Sequence, residues 1–320
     1  GCPSLTKQEN SARMKVSIIG GGGRVGSDAA FALQLGGIVN EIALVDANAD
    51  MAAGEALDLL HGSALTCSQK IVSGDYDVVA GSDCVVITAG LRRKPDESRL
   101  ELINRNVVLF RQILDSMRGV KLADGATILV VSNPVDILTH LAAKSGLLPE
   151  SQVIGLGTVL DTCRFRSLLA DRFNVGAKDV NALILGEHGD SMVPIWSAAT
   201  VNGMPLTSLP GYTQELGNEV FDFTKKSGAE VIRLKGGAGR AVGVSIAVVV
   251  EAMALDNGQI LPVSAVQNGK LGISDISLSL PTRVGRHGVV EIYEPAVSAA
   301  EKEGLAKSAQ SLKDVFAQIQ

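Results

Sequence analysis

The chain has 320 residues, of which 46% are apolar, 20% are charged and 35 are glycine. At roughly 150 residues per domain this length predicts two domains, and the aliphatic, glycine-rich composition excludes a disordered chain, a collagen and a small disulfide scaffold. The net charge of −5 is spread along the chain, so we expect no nucleic-acid partner, and no apolar run approaches the roughly 18 residues of a membrane span.

Neither the N-terminal segment nor the cysteines indicate secretion or metal binding. Residues 1–13 are polar and precede Met14, where the first strand pattern begins. They lack the apolar segment of a signal peptide, so we interpret them as a flexible N-terminal extension. The four cysteines form no CxxC pair and have no histidine at metal-ligand spacing. We therefore predict no metal site and a cytoplasmic location.

Over residues 14–150, short β-branched runs alternate with longer helical stretches. Nearly continuous apolar runs predict strands buried on both faces, at 15–19, 41–46, 83–88 and 127–132. The stretches between these strands predict crossover helices over 24–35, 50–65 and 98–117. This alternation is typical of a doubly wound parallel sheet, so we expect a Rossmann domain over 14–150.

Over residues 151–320 the pattern changes to long helices and glycine-punctuated strands. Helical spacing predicts helices over 158–173, 216–232, 240–255 and, with an amphipathic face, 305–319. Apolar runs predict strands over 182–185 and 193–201, followed by an antiparallel meander over 260–266, 271–281 and 283–293. We therefore expect a second, α+β domain with antiparallel strands over 151–320.

The first predicted strand runs directly into a glycine turn. Gly21, Gly23 and Gly26 form the pattern G-x-G-x-x-G, in which glycine permits a tight turn and close approach of a pyrophosphate. Asp46 ends the second predicted strand 20 residues after Gly26, where a carboxylate accepts hydrogen bonds from the adenosine ribose. A carboxylate there repels a 2′-phosphate. The two features together predict a dinucleotide site that takes NAD rather than NADP.

Three further segments carry charged side chains beside predicted strands or on a helix. A cationic loop from Thr88 to Arg99 leaves the third strand, and ligands of open α/β sheets bind at such strand ends. Asp161 and Arg164 are three residues apart on one helix face. His188 follows an apolar strand and has small neighbours, so its imidazole is expected to be accessible. A solvated loop and an ordinary ion pair are the simpler interpretations of the first two segments.

Five motifs follow one another along the chain: GGGGRVG, VVITAGLRRKPDESR, VVSNPVD, GTVLDTCRFR and GEHGDSMVP. In this order and spacing they resemble the lactate/malate dehydrogenase family, and the resemblance covers the chain from Met14 onward. It implies a Rossmann half, a catalytic half, NAD as cofactor, and hydride transfer to or from a 2-hydroxy acid. It also implies a homo-oligomer, either a dimer or a tetramer.

The resemblance implies a role for each matching position. His188 would exchange a proton with the substrate hydroxyl, and Asp161 would orient its imidazole. Arg164 would bind the substrate carboxylate, Arg99 would polarise the reacting carbonyl, and Asn133 would bond near the substrate oxygen and the nicotinamide. The cofactor-binding positions are Gly21, Gly23, Arg24, Val25, Gly26, Asp46, Thr88, Ala89, Gly90, Asn106, Val131 and Asn133.

One loop position separates substrates within the family. Six residues before the loop arginine, lactate dehydrogenases carry Gln and malate dehydrogenases carry Arg, and here Arg93 precedes Arg99 by six. A guanidinium there would pair with the second carboxylate of oxaloacetate, which is costly to bury alone. Ala238 leaves room for the larger substrate. We therefore expect a malate dehydrogenase of the tricarboxylic acid cycle, similar to lactate-dehydrogenase-like malate dehydrogenases, with the dicarboxylates malate and oxaloacetate as substrates.

Three alternatives stay open at this point. Arg92, rather than Arg93, could take the substrate-reading position. The enzyme could act on L-lactate or another 2-hydroxy acid with Arg93 turned to solvent, and GEHGDSMVP is more lactate-dehydrogenase-like than the GGHGD of many malate enzymes. A catalytically silent NAD-binding regulator is the third, although a binding module has no need of the complete catalytic set.

Overall fold

The structure, a computed structural model, describes residues 13–319. The predicted extension over residues 1–13 therefore lies outside the described residues, except for Arg13. Within residues 13–319, no helix is both long and apolar enough to cross a membrane.

The first half alternates strands with helices. Its elements, in chain order, are β1 (Lys15–Ile19), α1 (Arg24–Gly36), β2 (Glu41–Val45), α2 (Ala49–Gly62), β3 (Lys70–Ser73), β4 (Cys84–Ile87), α3 (Arg99–Arg118), β5 (Thr127–Val130), α4 (Val135–Lys144) and β6 (Val153–Gly155). The six strands are parallel and lie in the order β3-β2-β1-β4-β5-β6. This order is that of a doubly wound sheet, so the predicted Rossmann fold is confirmed.

The apolar runs form strands because both faces of the sheet are covered. Val16 and Ile18 of β1 pack on the cluster that includes residues of α1 and α2, whereas Ile19 packs with α3 and α4 on the opposite face. Alternate residues of a strand point to opposite faces, so a continuous apolar run satisfies both clusters. The short strands β3 and β6 were not predicted, since their four- and three-residue segments, KIVS and VIG, carry too little pattern.

The second half contributes four helices and ten strands within the described residues. Its elements are α5 (Val159–Phe173), β7 (Val180–Asn181), β8 (Ile184–Leu185), β9 (Val193–Pro194), β10 (Thr200–Val201), β11 (Met204–Pro205), α6 (Gln214–Lys235), α7 (Arg240–Leu255), β12 (Ile260–Leu261), β13 (Ser264–Asn268), β14 (Ser274–Ser279), β15 (Thr282–Gly285), β16 (Gly288–Ile292) and α8 (Ala299–Phe316). All strand pairs within this half are antiparallel, which confirms the predicted class of the second half.

Two strand predictions for this half need correction. The single strand expected over 193–201 is divided into β9 and β10 by a helical turn at Trp196–Ala198. The expected meander is also divided, because β13 and β14 extend the main sheet beyond β6, whereas β12, β15 and β16 form a separate sheet. The main sheet is therefore built from both halves of the chain, with β6 just beyond the boundary expected at residue 150.

Close packing of α7 against α1 joins the second half to the glycine turn that precedes α1. A Cβ atom on Gly243 of α7 would lie 2.8 Å from the main-chain carbon of Asp28 and 3.0 Å from the nitrogen of Ala29. These are backbone atoms, which cannot move aside as a flexible side chain does. The absence of a side chain at Gly243 therefore sets the distance between the two helices.

We expect Gly243→Ala to lower the free energy of unfolding by about 1–3 kcal/mol, because an added methyl group overpacks this contact. Gly119→Ala is the matched control. Gly119 has ordinary right-handed helical backbone angles and no atom near its would-be Cβ, so alanine there should be neutral or stabilise by about 0.5 kcal/mol. Denaturant unfolding curves measure both, and equal stabilities of the two variants would contradict the assignment.

Candidate active site

The glycine turn lies at the carboxyl edge of the sheet, where β1 has β2 on one side and β4 on the other. The main-chain N–H groups of Gly20 and Gly21 donate to the Val45 carbonyl at 2.7 and 3.0 Å, which fixes the turn against the end of β2. A Cβ atom on Gly26 would lie 2.2 Å from the Gly20 carbonyl oxygen. Only glycine therefore permits α1 to begin this close to the turn.

Asp46 connects the turn to the end of β2. Its Oδ2 accepts a hydrogen bond from the Gly22 N–H at 2.9 Å, and its Oδ1 accepts one from the Asn48 N–H at 2.9 Å. Each carboxylate oxygen keeps capacity for a further donor. The turn, the uncapped first turn of α1 after Gly23 and this carboxylate together fit a dinucleotide pyrophosphate and ribose.

The other predicted cofactor positions fall into three groups. Val25, Val131 and Asn133 line the central cavity described below, and Ala89 and Gly90 continue the chain beyond β4 towards the cationic loop. The remaining three are engaged within the protein. Thr88 donates its hydroxyl to the Ile19 carbonyl, Asn106 Oδ1 accepts from the Leu91 N–H, and Arg24 Nη1 donates to the carbonyls of Lys235 and Gly237.

A cavity of about 380 Å³ lies between the turn, α5 and α6. Its polar lining includes Asn133, Asp161, Arg164 and His188, so four of the predicted site residues meet here from distant parts of the chain. Small residues of the second half, Gly228 and Ala238 among them, line the facing wall. A small polar molecule held here would contact both halves.

Asp161 and His188 form the closest polar contact of the site. Asp161 is 1% exposed in the first turn of α5, and its Oδ2 lies 2.5 Å from Nδ1 of His188. Arg164 follows one helical turn later, with Nη1 3.6 Å from Asp161 Oδ1. The carboxylate thus holds an imidazole with one oxygen and faces a guanidinium with the other. Because Nδ1 is engaged, Nε2 is the ring nitrogen left for a ligand.

Burial lowers the pKa of His188, but the Asp161 charge and hydrogen bond, with a further contribution from Asp136, raise it above its usual value. Arg164 opposes this increase. A protonated imidazole is therefore stabilised near neutral pH, as a proton donor requires.

Asp136 is a site residue that sequence reasoning missed. It is 2% exposed in the first turn of α4, and its Oδ2 accepts the main-chain N–H of His188 at 2.8 Å. Burial raises its pKa to about 6. The sequence did contain a signal for this residue, because Asp136 belongs to the VVSNPVD motif. Only Val131 and Asn133 of that motif were predicted as site residues.

The cationic loop leads into α3 at the entrance to the cavity, and neither of its two predicted arginines lines the cavity. Arg99 begins α3 after a capping box formed by Ser98 and Glu101, and its Nη1 lies 3.7 Å from Asp190, which does line the cavity. Arg93 is exposed and donates Nε to the Glu97 carbonyl at 2.9 Å. Its guanidinium is thus bonded within the loop.

Comparison with known proteins agrees with this geometry. Residues 14–155 match the family model of the lactate/malate dehydrogenase NAD-binding domain, and residues 158–320 match that of the family's α/β C-terminal domain. The chain belongs to the lactate/malate dehydrogenase family. NAD is accordingly its cofactor, as the glycine turn and Asp46 predict.

The similar proteins within this family are lactate dehydrogenases. The chain is 43% identical to L-lactate dehydrogenase 1 of Clostridium acetobutylicum over 94% of this chain and 96% of that protein. It is 40% identical to L-lactate dehydrogenase of Acetivibrio thermocellus over 96% of this chain and 98% of that protein. The crystal structure of a minor L-lactate dehydrogenase from Enterococcus mundtii superposes with a TM-score of 0.91 at 36% identity, covering 96% and 99% of the two chains.

These relatives correct the substrate expectation. The prediction of malate dehydrogenase, with dicarboxylate substrates and a place in the tricarboxylic acid cycle, is wrong, because relatives at 43% and 40% identity are L-lactate dehydrogenases. The physical reason lies in the loop. The prediction rested on Arg93 facing a second carboxylate, whereas the Arg93 guanidinium bonds to Glu97 outside the cavity.

We expect Asp46→Asn to weaken NADH binding about tenfold, since losing charged hydrogen bonds to the ribose costs about 1.5 kcal/mol. NADPH binding should be unchanged or stronger, because the charge that repels a 2′-phosphate is gone. Fluorescence titration with each nucleotide measures both constants. Asp50→Asn is the matched control, since Asp50 is exposed in the first turn of α2. An NADH Kd equal to that of the unsubstituted protein would contradict the role of Asp46.

Proposed function

We propose that this protein is an NAD-dependent L-lactate dehydrogenase that interconverts pyruvate and L-lactate. The observation that carries the proposal is the cavity in which Asp161, His188 and Arg164 meet beside the nucleotide turn. A proton donor and a carboxylate receptor side by side fit a 2-oxo acid. The substrate follows the relatives, which are L-lactate dehydrogenases along nearly the whole chain.

NAD supplies the hydride acceptor or donor when it is bound. On this proposal the main chain of Gly21, Gly23 and Gly26 faces the pyrophosphate, and Asp46 accepts from the ribose hydroxyls. Val131 and Asn133 lie where the cavity approaches the carboxyl edge of the sheet, beside the reacting part of the cofactor. The residues that hold NAD thus lead directly into the site that holds the substrate.

His188 moves the proton. Asp161 fixes Nδ1, so in pyruvate reduction Nε2 donates its proton to the carbonyl oxygen as a hydride reaches the carbonyl carbon. In lactate oxidation Nε2 accepts the hydroxyl proton. Asp161 stabilises the imidazolium without taking the proton, as the buried carboxylate of a Ser-His-Asp triad does.

The two arginines hold and polarise the substrate. Arg164 is partly buried in the cavity wall, where its planar guanidinium can bind the C1 carboxylate through two parallel hydrogen bonds. Arg99 lies at the cavity entrance beside Asp190, from where movement of the loop would bring it to the reacting carbonyl. A homo-oligomer, either a dimer or a tetramer, and a cytoplasmic location complete the proposal as predictions from the sequence.

The proposal predicts that kcat/KM with NADH is higher for pyruvate than for oxaloacetate. His188→Asn should lower kcat for pyruvate reduction about 100- to 10,000-fold, because it removes the proton donor. The matched control is His61→Asn, since His61 is exposed on α2 and remote from the cavity. NADH absorbance measures all these rates. A preference for oxaloacetate would contradict the proposal and return Arg93 to the substrate site, and no turnover of either acid would favour a silent NAD-binding protein.

The direction of the reaction should set the direction of its pH dependence. Pyruvate reduction needs protonated His188, so its kcat/KM should fall as pH rises through the pKa of that residue, which lies above its usual value. Lactate oxidation needs the neutral form, so its kcat/KM should rise through the same range. The apparent pKa belongs to the coupled His188 and Asp161 pair. Profiles in both directions test this, and limbs of the same sign would contradict it.

A further inference from the structure

Asp136 contacts the main chain of the candidate proton donor, whereas Asp161 contacts its ring. Asp136 Oδ2 accepts the His188 main-chain N–H at 2.8 Å across 52 residues of sequence. Asp136 comes from α4, Asp161 from α5, and His188 from the turn between β8 and β9. The histidine is therefore held by two buried carboxyl groups on two different helices.

The second oxygen of Asp136 has an unusual environment. Oδ1 is buried and makes no hydrogen bond within the described residues, and the fully buried hydroxyl of Ser264 is in the same condition. The Ser264 hydroxyl lies outside hydrogen-bonding geometry but still stabilises the charged carboxyl and lowers the pKa of Asp136, although burial raises that pKa more strongly. A purely structural position would be better filled by a neutral amide or an apolar side chain, because burying a carboxylate costs free energy.

The charges around the two groups explain why a second carboxyl is useful. Asp161 faces His188 with one oxygen and Arg164 with the other, so part of its charge is balanced by the guanidinium. Among the described residues, His188 supplies the positive charge that lowers the pKa of Asp136. The negative charge of Glu187, on the same turn as His188, raises that pKa. The charge of Asp136 is thus directed at His188.

We propose that Asp136 is a positioning residue that holds the main chain of His188 and adds a second negative charge, beside that of Asp161, that favours the protonated imidazole. The inference rests on the proposed role of His188 as the proton donor. Asp136 is not among the residues that line the cavity, so it acts through His188. Asp161 fixes the tautomer and the ring orientation, whereas Asp136 fixes the position of the residue and adds to the local negative potential.

The test is a titration of the His188 ring by NMR in the full chain without substrate, with His188→Asn used to assign the resonance. Asp136→Asn keeps an oxygen that accepts the His188 N–H but removes the charge, so the pKa of His188 should fall by about one pH unit. The alkaline limb of kcat/KM for pyruvate should move to lower pH by the same amount, and KM should change less than kcat.

Glu187→Gln is the matched control. Glu187 is buried, precedes His188 directly and accepts from the Ser191 hydroxyl rather than bonding to His188. Its substitution removes a buried negative charge next to the histidine, yet should move the His188 pKa by far less than Asp136→Asn does. An unchanged His188 pKa in Asp136→Asn, or an equal change in both variants, would overturn the proposal.

Ser264→Ala provides a second route if Asp136→Asn does not fold. Without the hydroxyl, the pKa of Asp136 should rise and less of its negative charge remains near neutral pH, so the His188 pKa should fall by a smaller amount in the same direction. No change in Ser264→Ala would then overturn the proposal. The titration uses no substrate. If the His188 pKa shifts as expected but the protein does not reduce pyruvate, only the proposed function is contradicted.

Discussion

His188 Nδ1 and Asp161 Oδ2 lie 2.5 Å apart, and the arrangement of the second half follows from bringing them together. Asp161 is buried in the first turn of α5, directly after β6 ends the parallel sheet. His188 lies in the turn of the β8–β9 hairpin, which a bridge between Gly186 and Ser279 attaches to β14. Because β14 and β13 continue the main sheet past β6, one sheet positions both partners. The two side chains are thus held by elements of one sheet, which favours the fixed geometry that proton transfer would require.

The same sheet connects the edge that carries the predicted cofactor-binding residues with the wall of the cavity that the second half forms. The glycine turn follows β1, Asp46 follows β2, and Asn133 follows β5, all at the carboxyl edge of parallel strands. On the other side of the cavity, α6 and α7 are tied back to this edge. Arg24, beside the turn, donates to the carbonyls of Lys235 and Gly237, and Gly243 allows α7 to approach α1. The glycine turn and the facing wall of the cavity are therefore joined by direct contacts.

The fold class and the main polar residues of the cavity could be predicted from the sequence, because each depends on a local pattern. The doubly wound sheet follows from alternating β-branched runs and helices, although β3 and β6 were too short to predict, and Asp161, Arg164 and His188 lie in short motifs. Asp136 was not predicted as a site residue although it lies in one of those motifs, because its contact with the His188 main chain joins residues 52 positions apart in the sequence. Strands as short as β7 to β11 carry two residues each, too few for any periodicity to register.

The substrate prediction was wrong, because it depended mainly on the charge of one loop side chain, Arg93, with only the small residue Ala238 in support. The charge of Arg93 can be read from the sequence, but the direction in which its side chain points depends on how the loop from Thr88 to Arg99 is held. Glu97 organises that loop: its carboxylate accepts from Arg105 and the Lys94 N–H, and its carbonyl accepts from Arg93. The Arg105 pair, the largest influence on Glu97, lowers its pKa, so the carboxylate stays charged and the loop stays tied. Side chains on the sheet and its helices are placed by packing, whereas a loop side chain is placed by a few exchangeable hydrogen bonds. The charge of a loop residue alone is therefore weak evidence for the ligand that it binds.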